Sequence, residues 1–272
     1  MSKRRTVLAV GVLVVGLLVT SVALPTVATG KPANQVPVTY MPGEGDALAE
    51  PTSDVWADAE TSEVPLASAP SGLPDAGSVS ADAVDVTAAR TNSDLYVRLQ
   101  WRDATENRST DSPEAFADAV AMQVPANAST HPGIALGSQS TPVNVWFWNA
   151  AEGTEEILAG GAGTITAMND TSVQTAATHE DGTWTVVMHR SLATDSENRA
   201  TFGENTDVDV AFAVWDGANA ERSGHHAVSE WFTYPLGPTE SGPSYQYLLW
   251  GLAGLAVVVA LVVTITAIRG TE

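Results

Sequence analysis

The stretch SDLYVRLQW, residues 93–101, changes side-chain character at every step. Leu95, Val97, Leu99 and Trp101 fall on one face of an extended chain, and Tyr96, Arg98 and Gln100 on the other. Successive side chains of a strand point to opposite sides of a sheet, so this period of two marks a strand with one buried face. The pattern recurs in GTWTVVMHRSL (182–192), where Trp184, Val186 and Met188 oppose Thr185, Val187 and His189. It recurs again in DVDVAFAVWDG (207–217), with Val208, Val210, Phe212 and Val214 against Ala211, Ala213 and Trp215. Gly, Pro, Asn and Asp clusters punctuate these runs, and only SPEAFADAV (112–120) suggests a short helical turn. Many short strands with turn signals between them predict an all-β fold, an antiparallel β-sandwich.

Outward from these strands the chain changes character. Residues 51–236 are long enough for one domain with a real core. Before them, 31–50 reads as an irregular spacer, and after them 237–246 as a short Pro/Gly-rich stalk. Residues 1–30 carry Lys3, Arg4 and Arg5 ahead of an uncharged run, the layout of a signal peptide or an N-terminal anchor. The run Tyr247–Ile268 has no charge and is long enough to cross a bilayer as a transmembrane helix. Tyr245, Tyr247 and Trp250 stand at its start and Arg269 follows its end, so positive-inside logic leaves 269–272 in the cytoplasm and the domain outside the cell membrane.

The formal net charge is −20, which repels nucleic acid and suits a halophile's solvated surface. There is no cysteine, which excludes disulfides, thiolate zinc sites, iron–sulfur clusters and thioether-linked haem. A metal here must be held by His, Met, Lys or carboxylate. The Gly-x-Ser-x-Gly, His-Glu-x-x-His and phosphate-loop patterns of common hydrolases and nucleotide enzymes are missing.

PVNVWFWNA (142–150) sends Val143, Val145 and Phe147 to one side and Asn144, Trp146 and Trp148 to the other. Both faces are apolar, so this strand is central or one of its faces lines an apolar cavity; the plain alternative for Trp146 and Trp148 is sandwich core. Histidine is scarce, five in all. His179 falls in a turn, His131 in a loop before the Trp-rich strand, and His225 and His226 in ERSGHHAVSEW (221–231). If that last stretch is extended, its two histidines face opposite ways and at most one enters a given pocket.

Seven segments in order, DVWADAETSEVPLA, SDLYVRLQWRDATEN, FADAVAMQVP, GSQSTPVNVWFWNA, ILAGGAGTIT, GTWTVVMHRSL and VAFAVWDGANAERSGHHAVSEW, resemble the haem-binding subunit of ethylbenzene dehydrogenase and its relatives. The resemblance implies a sandwich holding one non-covalent haem b. It implies an electron-transfer subunit without a substrate site of its own, working beside iron–sulfur and molybdenum subunits of a nitrate, chlorate, selenate or dimethyl sulfoxide reductase-like complex. A quinol-oxidising partner in the membrane is a further expectation. The family's iron takes one ligand from the turn before AVS, which falls here on His226, with His225 as fallback. Its second ligand, a Met, falls at Leu136, which cannot ligate iron. The iron is then five-coordinate, or His131 or Met122 substitutes, His131 being favoured. Trp146 and Trp148 are expected to pack on the porphyrin, Asn144 to meet a polar edge, and Arg222 to pair with a propionate. The competing reading is an extracellular sugar- or ligand-binding sandwich without haem.

Overall fold

The computed structural model describes residues 34–71, 76–126, 136–161, 163–196, 198–203 and 207–236. The N-terminal segment 1–30, the stalk, the run Tyr247–Ile268 and His131 lie outside the described residues. Among those described, no helix is long and apolar enough to cross a membrane.

Among the described residues, fourteen strands form two sheets. They are β1 (Val38–Tyr40), β2 (Thr61–Pro65), β3 (Ala67–Ser68), β4 (Ala83–Arg90), β5 (Asp94–Arg102), β6 (Ala119–Pro125) and β7 (Val143–Asn149), followed by β8 (Gly153–Ala159), β9 (Ile165–Ala167), β10 (Gln174–Glu180), β11 (Thr183–Ser191), β12 (Asp207–Trp215), β13 (Ala227–Val228) and β14 (Phe232–Pro235). One sheet has the order β1-β4-β5-β11-β10, with β2 also on β4. The other runs β3-β13-β12-β6-β7-β8-β9, with β14 also on β12. Every pairing between named strands is antiparallel except β1 with β4, which is parallel.

The alternation read from sequence sets the faces. Leu95, Val97, Leu99 and Trp101 of β5, Trp184, Val186 and Met188 of β11, and Val208, Val210, Phe212 and Val214 of β12 all enter one core shared by both sheets. Aromatic contacts join the sheets directly: Trp148 meets Trp184 edge-on with centroids 5.1 Å apart. The β10–β11 hairpin closes over Asp181-Gly182, both at positive φ (50° and 71°), the mirror-image turn that suits the right-handed twist of paired strands.

A buried ion network also lies between the layers. Glu156 on β8, 1% exposed, faces Arg190 on β11 at 3.2 Å and Arg199 at 2.9 Å. Asn144 on β7 donates to Glu156 and accepts from Arg190 and from the Trp146 indole. Each buried polar atom thereby gains a partner, which offsets much of the cost of burying it.

Two expectations about local structure are corrected. The spacer expected over 31–50 contains β1 and the helical turn Gly45–Leu48, with Val36 and Leu48 fully buried. SPEAFADAV contains no helix; its first half forms a turn and its second half leads into β6. The helical turns sit at Gly45–Leu48 and Asp54–Asp58 instead, where Leu48 and Trp56 cap the outer face of the six-stranded sheet against Tyr96 and Val187.

Candidate functional site

The outer face of the eight-stranded sheet, opposite the shared core, carries a cavity of about 460 Å³. That volume lies in the range of small-molecule and cofactor sites. Its floor is made by outward positions of the central strands. Ala121 on β6 and Ala211 and Ala213 on β12 carry no bulk beyond Cβ, while Val145 and Phe147 on β7, Ile157 on β8 and Trp215 on β12 supply apolar walls. Leu136 lines the cavity from the preceding loop, with its backbone in the left-handed region at φ 60°.

Among the described residues, the one imidazole in this mostly apolar wall belongs to His226. Its ring stacks on the Trp215 indole, centroids 4.5 Å apart and 19° from parallel, and Phe147 braces Trp215 edge-on at 5.6 Å. The His226 Nδ1 is buried and has no hydrogen-bond partner. Burial lowers the imidazole's pKa, the Arg222 backbone opposing and the neighbouring His225 adding to the effect. Burial thus favours the neutral ring, the form that carries a lone pair a ligand can use. By contrast Ser229 at the same cavity is satisfied: its hydroxyl accepts from the Phe212 N–H and donates to the Glu230 carbonyl.

A tight turn delivers this ring. Arg222 and His225 exchange both backbone hydrogen bonds at 2.8 Å, and Gly224 between them takes φ 81°, which glycine adopts without the Cβ clash. The turn sends the two histidines to opposite sides. His225 donates from Nε2 to the Ser78 carbonyl at 3.0 Å, while His226 enters the cavity. Glu221, 1% exposed, holds the base of the turn by accepting from Ser80 N, Asp216 N and the Asn219 amide.

The residues expected at the site divide sharply. His226 and Leu136 are on the cavity wall. Trp146, Trp148 and Asn144 are not: strand alternation places all three on the inner face of β7, within the sandwich or its ion network. Met122 is likewise core, its sulfur accepting from the Tyr234 hydroxyl at 3.7 Å. His225 is committed to Ser78. The Arg222 guanidinium donates to the Ala220 carbonyl, sits 5.4 Å over the Phe116 ring and forms no part of the cavity wall. The residues passed over were Phe147, Val145 and Trp215, although the same alternation had already put them on the opposite face.

The domain is an all-β sandwich with a mostly apolar cavity on one sheet and, among the described residues, one imidazole in its wall, the features of a small-molecule or cofactor site. The chain belongs to the ethylbenzene dehydrogenase family, which matches residues 53–171 and 164–227. A relative in Haloferax mediterranei, "Putative respiratory nitrate reductase heme subunit ORF7", is 48% identical over 98% of this chain and 97% of its own length. The chlorate reductase subunit gamma of Ideonella dechloratans is 34% identical over 69% of this chain and 79% of its own. The dimethylsulfide dehydrogenase subunit gamma of Rhodovulum sulfidophilum is 31% identical, covering 73% and 79%.

Proposed function

We propose that this chain is a haem-binding electron-transfer subunit of a respiratory oxidoreductase complex, holding a non-covalent haem b in the cavity of the eight-stranded sheet. The observation that carries the reading is His226: a half-buried imidazole, its neutral form favoured by burial, in a mostly apolar wall. Such a group fits an iron ligand. The haem, when bound, supplies one-electron chemistry. The protein's part is binding, orientation and exclusion of water. His226 offers its lone pair, Trp215 and Phe147 fix the plane of that ring, and Ala121, Ala213, Val145 and Ile157 keep the surroundings dry. Residues packed around a metal ligand in this way tune the metal through ligand orientation and local dielectric. His131, five residues before Leu136 in the sequence, would supply a second ligand to the iron.

The same reading makes catalysis the work of partner iron–sulfur and molybdenum subunits, and the relatives' names support a subunit role. It also makes Tyr247–Ile268 the membrane anchor, with the domain on the extracytoplasmic side near a quinol-oxidising partner.

The test is an absorption spectrum of the full-length chain after haem reconstitution. A Soret band with sharp reduced α and β bands is expected, lost or strongly altered in His226→Ala. A chain that takes up no haem overturns the reading.

A further inference from the structure

At one end of the sandwich three carboxylates converge from two connections, the β5–β6 connection and the one after β12. Asp103 follows β5, Asp118 precedes β6 and Asp216 follows β12, and one oxygen of each lies within 4.8 Å of the others. Asp118 is fully buried and Asp103 is 7% exposed. No Lys or Arg pairs with any of them among the described residues; the nearby Arg108 is paired to Glu106. Donors hold the carboxylates in place. Asp118 accepts from Gly217 N, Asn107 N and the Trp184 indole, Asp103 Oδ1 from Thr105, and Asp216 Oδ1 from Ala218 N and Asn219 N.

One oxygen is left over. Asp103 Oδ2 is buried without a hydrogen-bond partner, in a side chain whose other oxygen takes both the N–H and the hydroxyl of Thr105. A buried carboxylate oxygen without a donor is costly, and more so beside two further carboxylates. Burial already pushes the Asp118 pKa up to about 6 against the three hydrogen bonds that lower it, with Asp103 adding to the rise. Backbone packing fixes the arrangement: a Cβ on Gly217 would stand 2.0 Å from the Phe116 carbonyl, so the chain that carries Asp216 can approach only as glycine.

We propose that Asp103, Asp118 and Asp216 bind a divalent cation of calcium size, which ties the six-stranded to the eight-stranded sheet. The donor set is all oxygen, the choice of hard cations. Calcium–oxygen distances of about 2.3–2.6 Å place two ligands of one ion up to about 5 Å apart, in keeping with the observed cluster, whereas magnesium demands a tighter octahedron. Asp103 belongs to one sheet and Asp118 and Asp216 to the other, so the ion bridges the layers in the way Trp184 and Asp118 already do.

Terbium luminescence tests this, because the Trp184 indole touches Asp118 at 3.0 Å and is a ready sensitiser. Terbium added to the full-length chain at fixed ionic strength is expected to give saturable Trp-sensitised emission. Calcium should compete it away and equal magnesium should not. Calcium should also raise the thermal unfolding midpoint and a chelator lower it. Asp103→Asn is expected to weaken calcium binding roughly tenfold or more. Asp216→Asn, at the more exposed position, is the second variant should Asp103→Asn fail to fold. Emission or a calcium response that is absent in the wild type, or unchanged in both Asp variants, overturns the proposal and leaves a proton shared by Asp103 and Asp118 as the explanation of the cluster. The Soret spectrum is measured on the same samples, so failure here is separate from failure of the haem reading.

Discussion

The His226 imidazole lies flat on the Trp215 indole, ring centroids 4.5 Å apart. The two rings come from different elements, β12 and the turn after it, so the stack locks the turn to the sheet and sets the imidazole's tilt. Aromatic pairs contribute about 0.5–1.5 kcal/mol beyond their buried area, so Trp215→Ala should loosen haem by a few-fold to roughly tenfold. Trp215→Phe should recover most of it. Haem transfer to apomyoglobin checks the retention, and the reduction midpoint reports the change in ligand orientation.

The adjacent histidines should separate cleanly. His226→Ala is expected to abolish or transform the Soret spectrum. His225→Ala should keep it and lower stability by about 1 kcal/mol, the worth of its bond to Ser78. Paired spectra and urea unfolding curves check both; a lost spectrum in His225→Ala alone would reverse the assignment.

Neighbours on β7 should behave as opposites. Trp146→Phe removes a bond to Asn144 inside the core and should cost about 1–3 kcal/mol while haem uptake persists. Phe147→Ala strips the cavity wall and the brace on Trp215, and should weaken haem retention with a smaller loss of stability. Haem titration beside chemical denaturation distinguishes the pair.

Glu156 should dominate acid sensitivity between the layers. Burial raises its pKa, but Ser172, Arg199 and Asn144 together hold it below the ordinary 4.5. A carboxylate lowered in the folded state adds stability that is full above the unfolded value and lost as pH falls through the folded one. Glu156→Gln leaves Arg190 buried beside a neutral amide and should cost about 3–5 kcal/mol near neutrality. The gap between variant and wild type should narrow below about pH 4.5, read from urea midpoints across the acid range.

Much of this architecture was legible because a period of two is enforced wherever one sheet face is buried. The faces of β5, β11 and β12 followed directly from it, as did the opposite pointing of His225 and His226. What alternation could not supply was which side of a doubly apolar strand is core. On β7 the larger aromatics, Trp146 and Trp148, looked like cofactor platforms, yet the wide gap between two sheets takes the largest rings. The cavity side instead shows the small residues Ala121, Ala211 and Ala213, whose missing bulk makes the room. Glu221 was invisible for another reason: a buried carboxylate holding a turn reads, in so acidic a chain, like any surface glutamate. β1 escaped because three residues added parallel to β4 give almost no periodicity.

The first described residues, just ahead of β1, and the last strand, β14, hold each other through a bridge between Gln35 and Thr233. Val36 donates to the Thr233 carbonyl, Thr233 donates to Asn34, and Val36 and Leu236 both sink into the shared core. The fold is thus a clasped loop: the chain enters and leaves at one corner, and both exits are pinned by the same few hydrogen bonds. Tension applied to either flank is borne there first, as at the buckle of a strap, before it reaches the strands that shape the cavity.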